Sequence, residues 1–188
     1  MQERIDAIFA QSIQVKKDAL ALNRDAICQA TDLIIQALHD KKKIILFGNG
    51  GSAADSQHIA AEFVGRFLKE REALPAISLT TDTSCLTALG NDYSFDIIFA
   101  RQIEALAESG DVVLAISTSG KSKNVLAGVE AARAKGLKTI AVTGYDGGPL
   151  AQLTDVKIIV PAKHTARIQE THSCILHCIC ELVEEQFC

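Results

Sequence analysis

The stretch KKIILFGNGGSAADSQHIAAEFVGRFLKE, residues 42–70, decides the fold. KKIILFG is a short, β-rich apolar run closed by glycine, the pattern of a strand buried on both faces. SAADSQHIAAEFVGRFLKE is an alanine-rich helical stretch. With the glycines between them they form a strand, loop, helix unit, and the unit recurs. PAISLT leads to the helical TSCLTAL and FDIIFARQIEALAES, and DVVLAIS leads to KNVLAGVEAARAKG. KTIAVTG and DVKIIVP follow, and a last helix is predicted from about Thr165 to Glu185. Five strands alternating with helices predict an α/β fold: a five-stranded parallel sheet flanked by helices, Rossmann-like or flavodoxin-like, with right-handed crossovers. In such a sheet the ligand lies outside the carboxyl ends of the strands, so the loops after ILF, AISL, LAIS and AVT are where function is sought.

Ahead of the first strand, apolar residues at helical spacing in residues 3–22 (Ile5, Ile8, Phe9) and 25–39 (Ile27, Ala30, Leu33, Ile34, Ala37) predict a pair of helices. Residues 1–40 are therefore expected to pack on the domain formed by residues 41–188 and between subunits. There is no fixed-period repeat, low-complexity tract or Pro/Gly/Ser linker; GYDGGP is the one loop-like interruption late in the chain.

Composition narrows the function classes. With 188 residues, 48% hydrophobic and 22% charged, the chain suits one globular unit. No apolar run approaches the roughly 20 residues of a membrane helix, and the amphipathic MQERIDAIFAQSIQ lacks a signal-peptide layout, so a cytoplasmic location is expected. A net charge of -4, two Tyr and no Trp argue against nucleic acid as the main ligand. Of the six cysteines, Cys174, Cys178, Cys180 and Cys188 cluster in one apolar segment without zinc-site spacing, and ILHCICELV reads as a helix in which cysteine serves as a small hydrophobe.

Two loops carry phosphate-type signals. Gly48-Asn49-Gly50-Gly51-Ser52 follows the first strand, where glycine allows the backbone to aim N–H groups at an anion and the helix start favours negative charge. A tight turn with Ser52 as helix cap reads equally well. Ser117-Thr118-Ser119-Gly120-Lys121-Ser122 places four hydroxyls in six residues at a strand-to-helix junction, more than capping requires, and favours a phosphate monoester. Gly48, Gly50 and Ala53 fit the dinucleotide pattern, but the acidic ribose contact is missing at its place; Asp82 comes too late. The GKS at 120–122 has Ala115 where a P-loop needs glycine.

Acid, base and metal candidates lie on two helices. His58 and Glu62 are i and i+4 on the helix after the glycine loop, a surface pair or a shared ligand set. The last helix carries Gln169, Glu170, His172 and His177, the last inside an apolar sequence where a histidine is commonly a satisfied core residue. Gln169 and His177 are about 12 Å apart along a regular helix. If both serve one site, either Gln169 precedes the regular helix or one of the two comes from another subunit.

Together GNGGSAADSQHIAAEFVGRF, TTDTSCLTALGNDYSF, GDVVLAISTSGKSKNV, AVTGYDGG and TARIQE resemble the bacterial phosphoheptose isomerases of the sugar isomerase (SIS) family over nearly the whole chain. The resemblance implies interconversion of sedoheptulose 7-phosphate and D-glycero-D-manno-heptose 7-phosphate for ADP-heptose and lipopolysaccharide core, by a homotetramer with active sites between subunits. It implies substrate contacts at Asn49, Gly50, Gly51 and Ser52, a second contact loop at Asn91 and Asp92, and a phosphate cradle of Ser117, Thr118, Ser119 and Ser122. It implies a zinc set of His58, Glu62, Gln169 and His177. Glu62 then serves as base and His177 as acid, with Glu62 and Gln169 also at the substrate. MQERI and TGYDGG also resemble related SIS proteins that bind the bacterial replication initiator; the intact acid, base and metal set favours an enzyme.

Overall fold

The computed structural model describes residues 1–188. The elements are α1 (Gln2–His39), β1 (Ile44–Gly48), α2 (Gly51–Val64), β2 (Ala76–Ser78), α3 (Thr83–Asp92) and, after a 3-10 turn at Phe95–Ile97, α4 (Ile98–Leu106). β3 (Val112–Ser117), α5 (Lys123–Ala134), β4 (Lys138–Gly144), α6 (Leu150–Leu153), β5 (Val156–Val160) and α7 (Thr165–Glu184) complete the chain. All five strands are parallel, in the order β2-β1-β3-β4-β5, which is the flavodoxin-like alternative.

The continuous apolar strands make physical sense once their period of two is applied. Ile44, Leu46, Val112, Leu114, Ile116, Ile140 and Val142 point into the core under α1, α2 and α7. Ile45, Phe47, Val113, Ala115 and Ala141 point into a second core under α4 and α5. Because β1 and β3 are neighbours whose following helices pack on opposite faces, their carboxyl ends diverge into a crevice.

The expected pair of leading helices is one continuous helix of 38 residues. The break expected between residues 22 and 25 does not occur: Asn23, a weak helix former, is buried and stays within the helix. Its amide donates to the carbonyls of Ala19 and Ile159, both at 2.8 Å, and its oxygen accepts from the Ile159 N–H at 2.8 Å. It pins α1 to the edge strand β5 while the helical hydrogen bonds continue. No helix is long and apolar enough to cross a membrane.

Candidate active site

The glycine loop begins where β1 stops. Gly50 precedes α2 with φ +55° and ψ −120°, a conformation open to glycine and strained for other residues. The helix starts at Gly51, so Ser52 is a buried first-turn residue and not the cap. A β-carbon at Gly51 would lie 2.5 Å from Gln169 Nε2. Glycine there makes room for the side chain of α7.

The serine loop is tied to it across the crevice. Asn49 and Asn124 exchange amide hydrogen bonds of 2.8 and 2.9 Å, joining the end of β1 to the first turn of α5. Ser122 stands at the start of α5 but makes no capping bond; its hydroxyl lies 3.3 Å from that of Ser117. In the first turn of α5 the Val125 N–H donates to Asn124 Oδ1 at 2.9 Å, and the Lys123 and Asn124 N–H groups, without a side-chain acceptor, lie beside hydroxyls, which is an arrangement suited to a phosphate. Ser117 Oγ accepts from the Gly120 N–H at 3.2 Å and Ser119 Oγ from the Lys121 N–H at 3.2 Å, while the Thr118 carbonyl accepts from the Gly144 N–H at 2.9 Å.

Acid and base candidates meet along a seam between α2 and α7, which run side by side in the same direction. Gly51 faces Gln169, Asp55 accepts from Ser173 Oγ at 3.0 Å, and His58 Nε2 lies 2.8 Å from His177 Nε2. Glu62 Oε1 is 3.6 Å from His58 Nε2. The spacing of about seven to eight residues on each helix keeps this register. His58 is half exposed and Glu62 at 22%, so the cluster opens to solvent.

Gln169 is inside the regular helix, two turns before His177, and belongs to the glycine-loop end of the seam. One chain therefore brings together His58, Glu62 and His177 and holds Gln169 apart. Asn91 and Asp92, expected in a loop, form the last turn of α3, exposed, with the Asn91 amide on Asp92 Oδ1 at 2.8 Å. They touch none of the other candidates by hydrogen bond. The six cysteines are free, and only Cys180 is buried; burial pushes its thiol up to about 12. Cys174 and Cys178 face outward and are not core hydrophobes.

Two imidazole nitrogens and a carboxylate meeting at one point are the donor types of a zinc site that keeps an open position. As they stand, no set of three such side chains is spaced to hold an ion, because His58 and His177 hydrogen-bond to each other. The residues fit zinc in kind, on condition that this bond gives way.

A family model described as the SIS domain matches residues 8–144. The chain belongs to the SIS domain family. It is 54% identical to the phosphoheptose isomerase of Aquifex aeolicus over 188 residues, covering 100% of this chain and 98% of that one. The solved phosphoheptose isomerases of Neisseria gonorrhoeae (46% identity, TM-score 0.93) and Francisella tularensis (38%, TM-score 0.94) each align over 98% of both chains. The chain is accordingly an enzyme of the phosphoheptose isomerase group.

In this SIS enzyme several residues of the site region carried no motif in the sequence. Asp55 is on the His58 and Glu62 face of α2, one turn earlier, a spacing that could have drawn attention to it. Burial raises its carboxyl above the usual range, against the lowering effects of Ser173, His58 and His177. His172 is fully buried, its Nε2–H donating to the Thr143 carbonyl at 2.9 Å at the end of β4. Its Nδ1 has no partner, and burial lowers the imidazole to about 4, so it is neutral at neutral pH. The role of Asn124 became visible only when α5 met the glycine loop.

Proposed function

We propose that this SIS enzyme converts sedoheptulose 7-phosphate to D-glycero-D-manno-heptose 7-phosphate in the cytoplasm, toward the ADP-heptose of lipopolysaccharide core. The observation that carries the reading is the α2–α7 seam, which assembles a carboxylate and two imidazoles on a scaffold whose loops suit a phosphate. Glu62 takes a proton from C1 of the ketose, giving an enediol, and returns it to C2 to give the aldose. His177 carries the balancing proton between the C1 and C2 oxygens. The serine loop holds the phosphate by hydroxyls and N–H groups.

Zinc would be held by His58, Glu62 and His177, with Gln169 as the fourth ligand from another subunit, and when bound would polarise the sugar oxygens, the proton steps falling to the Glu62 oxygen and the His177 ring nitrogen that the metal would leave free. Distance supports a site shared between subunits. Glu62 is about 16 Å along α2 from Gly51 at 1.5 Å per residue, more than one heptose phosphate spans from a phosphate held at the serine loop. The seam of one chain is better matched to the phosphate cradle of a second. A homotetramer is also supported by the exposed apolar stripe Ile5, Phe9, Ile13 and Leu20 along α1, which a monomer would leave in water.

The test is incubation of purified protein with sedoheptulose 7-phosphate in heavy water, with and without a chelator. Formation of the aldose with deuterium at C2, lost on chelation and regained with zinc, is expected. Absence of conversion by zinc-replete protein overturns the substrate assignment, and undiminished turnover after complete chelation overturns the metal.

A further inference from the structure

Residues 65–75, between α2 and β2, form no helix or strand, yet they are held by an ion pair sealed from water. Arg71 Nε lies 3.2 Å from Glu184 Oε1, with side chains 1% and 3% exposed. Three consecutive backbone N–H groups, of Phe67, Leu68 and Lys69, donate to the Glu184 carboxylate at 2.8, 2.7 and 2.9 Å. Such a concave row of N–H groups is a ready anion site, and here a side chain from the last turn of α7 fills it. Arg71 Nη1 donates to the carbonyls of Phe63, Gly65 and Glu72, and Nη2 to that of Glu62. Arg71 thereby takes up carbonyls that the end of α2 leaves open.

This latch fixes one side chain against the site. The Phe67 ring centroid is 5.5 Å from that of His177, tilted by 37°, and His177 in turn meets the His58 ring edge-on at 5.1 Å. The imidazole is thus bounded by His58 on one side and Phe67 on another. Rotation about the second side-chain bond of histidine has only a weak intrinsic preference, so the ring plane is set by what touches it. Whenever a ligand draws His58 away, Phe67 remains as the aromatic neighbour of that ring. The packing of Phe67 on the core under α1, α2 and α7 asks only for apolar volume, whereas its ring also stands against the imidazole.

We propose that Phe67, held by the Arg71–Glu184 latch, is the positioning residue for His177. The inference rests on His177 acting in the isomerisation, as read above.

The test compares Phe67→Leu with Phe67→Tyr in the full chain, reading kcat, KM, thermal midpoint and the ring-proton NMR shifts of labelled His177. Leu is expected to lower kcat about tenfold with KM unchanged within about twofold, since misorientation of a catalytic group acts on the chemical step. Tyr is expected to restore kcat to within about twofold, and Glu184→Gln, which loosens the latch while keeping its shape, to lower kcat in the same sense. Wild-type kcat in Phe67→Leu overturns the proposal, as does a loss that Tyr fails to restore. If the wild-type protein does not turn over sedoheptulose 7-phosphate, the substrate reading fails and NMR decides the positioning. Displaced His177 ring-proton shifts in the Leu variant that return with Tyr sustain it, and unchanged shifts sink it.

Discussion

The serine loop and the α2–α7 seam are assembled on different scales. The hydroxyls of Ser117, Ser119 and Ser122 are ordered by bonds to residues at most five positions away, while the loop's backbone carbonyls of Thr118 and Gly120 accept from Gly144 and Leu150, so the hydroxyl geometry is the local part. In the seam, Asp55 meets Ser173 across 118 positions and His58 meets His177 across 119. A loop built from neighbours presents dipoles and hydroxyls, which suffice to bind an anion. A group that moves protons needs a partner at hydrogen-bond distance and a controlled environment, and two helices packed on one core supply both. On the proposed function, binding falls to the local element and chemistry to the non-local one.

The strongest way to break this assignment is Glu62→Gln, which keeps the shape and removes the proton acceptor. Its kcat should fall by about 10²- to 10⁴-fold with little change in KM, read in a discontinuous assay of aldose formed. A rise in KM alone would place Glu62 with the binding groups.

The next largest effect concerns the anchoring of α7. His172 is neutral and buried, with its imidazole lowered to about 4 from an ordinary 6.5. Between those values the unfolded chain binds the extra proton, so stability is full above about pH 6.5 and is lost as pH falls. The loss should reach about 3 kcal/mol near pH 4, read from urea midpoints across pH. His172→Gln keeps a donor for Thr143 but does not titrate, and should flatten that part of the profile; an unaltered pH dependence would remove His172 as its source.

On the local side, replacing both Ser119 and Ser122 by alanine should raise KM by about tenfold or more while kcat stays within a few-fold, since hydrogen bonds to a charged group contribute about 1.5–3 kcal/mol each. Inorganic phosphate should weaken in parallel as a competitive inhibitor. A fall in kcat with unchanged KM would blur the division between the two elements. The smallest effect is expected at the bridge between the loops. Asn124→Ala removes the reciprocal amide pair with Asn49, and its cost should be about 1–2 kcal/mol in chemical denaturation.

How much of this was legible in advance follows from the same scales. The strand, loop, helix units and the two phosphate-type loops could be read because hydrophobic period and turn chemistry are encoded by adjacent residues. The break expected in α1 between residues 22 and 25 is absent because the weak helix preference of Asn23 is outweighed by its hydrogen bonds to Ile159, a residue 136 positions away. His58 and Glu62 could be paired from their spacing, and His177 could be named, but nothing near His177 in the chain distinguishes it from a core histidine. Phe67, Arg71 and Glu184 carried no motif, since an ion pair and a ring contact have no period.

By itself the sequence determined the parallel α/β sheet, its covered faces and the family, because each depends on patterns a few residues long repeated along the chain. Only the tertiary structure decided that Gln169 faces Gly51 while His177 faces His58. It alone made α1 one helix, and it alone set Phe67 on the imidazole. The reason is that the register of two helices packed side by side is fixed by side-chain shape and burial across more than a hundred intervening residues, which local preference does not record.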